Sequence, residues 1–235
     1  MIGPIANALC TLTGGVLGSF AGHRLSEATR ARLVLVLGLA AMGMGVAMIV
    51  RVHALPPVIM ALLVGTVAGE LLRIESRLTG AAGALRRLID RLVPPMGGQG
   101  LPAAAHADRL VAVLVLFVAS GTGIFGAMNE GITGDPSILL VKAMLDLVTA
   151  GIFAAELGLS VAAIAVPQLV AQMGFLLLGM WIMPMLTPAM VADFSSLGGI
   201  IMLATGLRIC AIAPFPVANM LPGLLLVMPL SALMG

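Results

Sequence analysis

Charge is what this chain has least of: only 9% of its 235 residues are Asp, Glu, Lys or Arg, against roughly 25% in soluble domains. With 60% hydrophobic residues and a mean hydropathy of +1.17, that scarcity excludes a soluble fold and leaves a polytopic membrane protein. Cysteine is nearly absent too. Cys10 and Cys210 lie in apolar runs near opposite ends, so they suggest neither a disulfide framework nor a metal site and read as small buried side chains. His23, His53 and His106 lack metal-ligand spacing, and no Gly-rich phosphate loop or Ser/His/Asp arrangement occurs. These absences argue against an enzyme and imply no cofactor and no bound metal. The formal charge of +2 comes from arginines gathered in a few loops, which membrane topology explains without a nucleic-acid partner.

What is present is a series of apolar runs, each near the 20 residues a helix needs to cross a bilayer. Eight are expected, at about 3–22, 33–51, 55–73, 110–129, 136–155, 159–181, 196–213 and 216–234. The first has no basic n-region and no cleavage site, so it reads as a span and not a signal peptide. The expected fold is therefore all-α, a transmembrane helix bundle forming one domain over residues 1–235, with the lipid bilayer as its first partner.

Arg24, Arg30 and Arg32 separate the first two runs, and Arg73, Arg77, Arg86, Arg87 and Arg91 follow the third. Cationic loops face the cytoplasm, which puts the N-terminus outside together with Arg51, Glu130, Asp135 and Asp193. The connection at 74–109 includes a short interfacial helix, with Leu85, Leu88, Ile89 and Leu92 opposite Arg86, Arg87, Asp90 and Arg91. It serves either as a partner-binding element or as a connector resting on anionic headgroups.

Internal repetition is also expected. Gly43-Met-Gly45 precedes Pro56 and Pro57, as Gly121-Thr-Gly123 precedes Pro136, giving a repeated two-helix unit; Pro4-Ile-Ala-Asn7 matches Pro216-Val-Ala-Asn219 in spans of opposite direction, as in inverted repeats. Gly14, Gly18 and Gly22 form a small-residue face suited either to a homodimer or to contacts within the bundle.

The candidate site starts from Lys142 and Asp146, four residues and one helical turn apart in an apolar run. If Pro136 marks the surface, Lys142 lies about 9 Å deep and Asp146 about 15 Å deep, close to the midplane. An unpaired charge there costs from about 3 to well over 10 kcal/mol, so the pair is either an ion-coupling site or a structural bridge. Arg208 is a third charge within a span; either it leaves a local positive excess beside Asp146 that suits an anionic substrate or a fourth partner such as Glu70, or it snorkels to the cytoplasmic headgroups. Asn7 and Asn219 near helix starts, and Gln168 and Gln172 beside Pro167, could bind an ion or solute or cross-link helices. The segment Asn129–Asp135 reads as an outer loop. Met42, Met44 and Met48, with Met180, Met183 and Met185, admit a thioether path for copper(I), although Met also fills apolar helices routinely.

Asn7 with Gly14-Gly15 and Gly18, Gly65 with Gly69-Glu70, Gly131-Ile-Thr-Gly-Asp135, Lys142 with Leu145-Asp146, and Val217-Ala-Asn219 with Leu221-Pro222 together resemble the YqgA-like family of bacterial inner-membrane proteins. The resemblance covers nearly the whole chain; Pro136 directly after Asp135 departs from the pattern. It implies a bacterial plasma-membrane location and a transport role, with no substrate attached. The function expected is an ion-coupled secondary transporter or channel for a small solute or ion, built around the midplane charges. The alternative is a non-transporting membrane scaffold or partner-binding protein acting through the glycine faces and the arginine-rich helix.

Overall fold

The computed structural model describes residues 1–21, 26–92, 103–118 and 120–234, and among these every regular element is a helix. In lipid, backbone groups must pair within their own segment, and a helix does this. The chain runs α1 (Ile2–Ala21), α2 (Glu27–Ile49), α3 (Leu55–Leu71), α4 (Ile74–Leu92), α5 (Ala103–Val118), α6 (Gly121–Thr133), α7 (Ser137–Leu157), α8 (Ser160–Ala163), α9 (Ala165–Ile182), α10 (Pro188–Ile209), α11 (Val217–Met220) and α12 (Pro222–Met234). Seven segments are long and apolar enough to cross a membrane, and α3 with the first part of α4, bent by 53°, makes an eighth. Gly22, Arg24 and the side chains of Leu85, Arg86, Arg87, Leu88, Ile89 and Leu92 lie outside the described residues.

Close backbone approaches set the directions of the helices. A Cβ on Gly3 would meet Leu139, and one on Gly18 would meet Gly151, so α1 and α7 run parallel. Gly38 faces Gly206 while Gly45 faces Gly199, which makes α2 and α10 antiparallel. Gly65 meets Gly223 and Gly69 meets Asn219, so the last span runs against α3. Gly123 lies beside Gln172 and Gly131 beside Gly179, so α6 and α9 are parallel. These are the relations that eight alternating spans require. Arg30, Arg73, Arg77, Arg109 and Arg208 then share one end of the bundle, and Arg51, Glu130, Asp135 and Asp193 the other. Gly14 and Gly18 spend their small-residue face on α7 inside the chain.

Two carboxylates expected in outer loops are instead buried caps. Asn129 and Glu130 are buried near the end of α6, and Glu130 accepts from the Gly3 amide at 3.1 Å and pairs with the Met1 ammonium at 2.7 Å. Asp193 accepts from the amides of His53 and Ala54 at 2.9 and 2.8 Å, just ahead of α3, and from the Ser231 hydroxyl at 2.6 Å. The reason is the helix dipole: the orphan N–H groups at a helix start need an acceptor, and in lipid only the protein supplies one.

The fourth span is not continuous. Ser120 is extended and its hydroxyl accepts from the Gly123 amide, so a new helix starts in mid-membrane. Every residue of α6 from Gly121 to Glu130 is buried, which makes it the innermost helix. Gly43-Met-Gly45, by contrast, sits inside the unbroken α2, so the two Gly-x-Gly motifs do different work. Pro167 falls in the first turn of α9, where no N–H is needed, and the helix change lies at Ile164.

Candidate functional site

Four helices build the site. Lys142 and Asp146 are buried on α7, 3% and 8% exposed, and their side chains form an ion pair. Gln168 on α9 donates to the same carboxylate oxygen at 2.7 Å. The Phe117 ring of α5 lies 5.7 Å from the Lys142 ammonium, within cation–π range. From α6, Gly123 gives Lys142 its space: a Cβ there would come within 3.0 Å of Lys142 Cε and 3.2 Å of Gln172 Nε2.

A cavity of about 240 Å³ reaches the pair, with Ser120, Thr122, Thr149 and Thr205 as its other polar lining and α2 residues such as Val34 and Leu37 along one wall. A second cavity, of about 270 Å³, shares Ser120 and Thr205 with the first and ends at Glu75 and Arg208. The start of α6 therefore lines both cavities.

On the side of α1 and α9 the surroundings are polar but closed. Asn7, Thr11 and Gln172 are at most 2% exposed, and their side-chain polar atoms have no hydrogen-bond partner, as is also true of the Gln168 carbonyl. Parallel packing of α1 on α7, with Gly3 against Leu139 and Gly14 against Leu147, sets Asn7 level with about Lys142. An orphaned buried amide or hydroxyl costs about 1–3 kcal/mol. Such groups are rare in folded proteins, and each calls for an explanation.

The profile of the family described as "Protein of unknown function (DUF554)" matches residues 2–232. The chain belongs to the DUF554 family. It is 46% identical over 233 residues to "Uncharacterized protein YqgA" of Escherichia coli (strain K12), covering 99% of this chain and 97% of that protein. It is 26% identical over 232 residues to "Uncharacterized membrane protein YdfK" of Bacillus subtilis (strain 168), covering 96% and 93%. No solved structure matches it. This DUF554 chain is thus similar to a protein described as a membrane protein, in keeping with its apolar helices, and the resemblance read from its residues is the family the comparisons find.

The remaining candidate residues of the DUF554 chain divide by location. Lys142, Asp146, Gln168 and Gln172 come together, with Asn7 level with them on α1. Arg208 does not join Asp146. Its guanidinium pairs with Glu75 at 2.6 Å and donates to the Phe215 carbonyl at 3.2 Å at the arginine-rich end. The carboxylate that answers Arg208 is thus Glu75 and not Glu70, which is exposed on α3. Asn219 is a cap, accepting from the Glu75 amide at 2.9 Å. Met48 fills the core, whereas Met180, Met183 and Met185 are exposed, so the two methionine groups have different surroundings. Ser120, Thr122 and Thr205 were not picked out from sequence. Ser-Gly-Thr-Gly in the middle of an apolar run was the available signal, since a serine followed by glycines is a helix start.

Proposed function

We propose that this DUF554 protein is an ion-coupled secondary transporter or channel for a small solute, with Asp146 as the coupling carboxylate and Lys142 as its charge partner. One observation carries the reading: a cavity leads to the buried pair. A bridge that only locks helices works best sealed and fully hydrogen-bonded, and the scaffold alternative expects that. Two further features support transport. Two cavities share Ser120 and Thr205 as lining, one reaching Arg208 at the arginine-rich end and the other the buried pair, and the broken α5–α6 span puts a helix start beside them, as discontinuous helices do in many transporters. By the charge rule the arginine-rich end faces the cytoplasm. The bacterial relatives support the bacterial plasma membrane as the location in this reading.

The test is flux in liposomes holding the purified protein and a trapped pH dye. An imposed proton or sodium gradient drives flux through the wild type, and Asp146→Asn abolishes it while the protein still elutes as a folded species. Wild-type flux through Asp146→Asn contradicts the proposal.

A further inference from the structure

We infer that the transport path continues beyond the buried pair along the seam between α2 and α7, to an outer mouth at Arg51 and Asp135, with Met44 and Val141 as the barrier between the two. This rests on the transport reading and adds the half of the route that faces away from the arginine-rich end. A separate cavity of about 160 Å³ lies there, lined by Met44, Ala47 and Arg51 of α2, by Asp135 just before α7, and by Ser137 and Val141 of α7.

The cavity that reaches Lys142 and Asp146 uses the same two helix faces one turn further in. On α2 the outer cavity takes Arg51, Met48 and Met44, and the inner one Ala41, Leu37 and Val34. Those alternating steps of three and four residues keep to one side of a helix. On α7, Ile138 and Val141 line the outer cavity and Leu145 and Thr149 the inner one, again along one face. Other faces of both helices are packed elsewhere: Gly38 and Gly45 hold α2 on α10, and Leu147 and Gly151 hold α7 on α1. The two lining faces therefore oppose each other from Arg51 and Ser137 at one end to Val34 and Phe153 at the other.

What separates the cavities is short. Three residues part Ala41 from Met44 and four part Val141 from Leu145, so about 5–6 Å of helix divides one cavity from the other. That stretch of the seam is apolar, whereas each cavity carries charge: Arg51 and Asp135 outside, Lys142 and Asp146 inside. Ionised groups at membrane depth face a bundle interior or a water-filled space, and here they stand on both sides of one thin apolar plug. Met44 is the movable member, half-buried and with an unbranched thioether side chain that rotates about three bonds.

The test is thiol labelling in a Cys10→Ala/Cys210→Ala background, with a small, charged, membrane-impermeant reagent added to oriented vesicles at the Arg51 end. Ala47→Cys is expected to react and Ala41→Cys to stay unreactive. Adding Met44→Ala, or Val141→Ala as a second variant, raises the Ala41→Cys rate about tenfold or more, the change given by a barrier lowered by about 1.4 kcal/mol. A groove that only faces lipid gives the contrary result, because the charged reagent does not reach Ala47→Cys. An unreactive Ala47→Cys, or an Ala41→Cys rate that neither variant changes, overturns the path. Asp146-dependent flux alongside either result removes this path and leaves transport standing. Gated labelling without flux keeps the path through the seam and removes transport.

Discussion

Gln168 donates to the carboxylate oxygen of Asp146 at 2.7 Å, the oxygen that Lys142 also engages. One lone charge is thus answered from its own helix and from a neighbouring one. The pair ties α9 to α7 through a contact made in mid-membrane, where competition from water is least.

Removing Lys142 leaves Asp146 buried against a single amide. Lys142→Met is expected to destabilise the protein by about 3–5 kcal/mol, because the surviving charge has lost its partner. The double variant Lys142→Met/Asp146→Leu recovers most of that loss. Melting of the purified variants in one detergent checks both.

Glu130 caps α1 and holds the Met1 ammonium. Glu130→Gln keeps the shape and loses the charge, so a loss of about 1–2 kcal/mol is expected from the dipole and ion-pair contributions together. Faster amide hydrogen exchange confined to the first turn of α1 is the accompanying sign.

Gly43 has open space where a Cβ would go, whereas a Cβ added to Gly45 would come within 2.6 Å of the Gly199 carbonyl oxygen. Gly43→Ala is expected to be neutral or stabilising by up to about 1 kcal/mol. Gly45→Ala, two residues along the same helix, separates α2 from α10 and lowers the melting temperature.

Asp135 lies in the turn before α7, and the Ser137 hydroxyl and amide both donate to its carboxylate, which pushes its pKa below the ordinary 3.8. A lowered folded value means that the stabilisation is present above the ordinary value and is lost as pH falls through the folded one. Carbon-detected NMR titration should find Asp135 titrating below 3.8 in the wild type and moving upward in Ser137→Ala.

Most of the bundle was legible because lipid imposes a simple rule: apolar runs of about 20 residues become helices. Lys142 and Asp146 were legible for a related reason, since four-residue spacing in such a run sets both charges on one face. The failures share a cause as well. Glu130 and Asp193 stand near span ends, where sequence cannot tell a solvated carboxylate from one that caps a helix distant in the chain. Glu75 escaped as the partner of Arg208 because the two meet only once the last spans fold back on α3 and α4. The break at Ser120 was hidden because Gly121 and Gly123 leave an apolar run no less apolar.

The central claim, that a path from the arginine-rich end leads to the buried pair, is tested most directly by thiol accessibility. In a Cys10→Ala/Cys210→Ala background, Thr205→Cys and Asn7→Cys are exposed to a small, charged, membrane-impermeant thiol reagent in oriented vesicles. The account predicts that Thr205→Cys reacts when the reagent meets the arginine-rich end, and that Asn7→Cys, on the closed side of the pair, does not. An unreactive Thr205→Cys, in a variant that still folds, would contradict it.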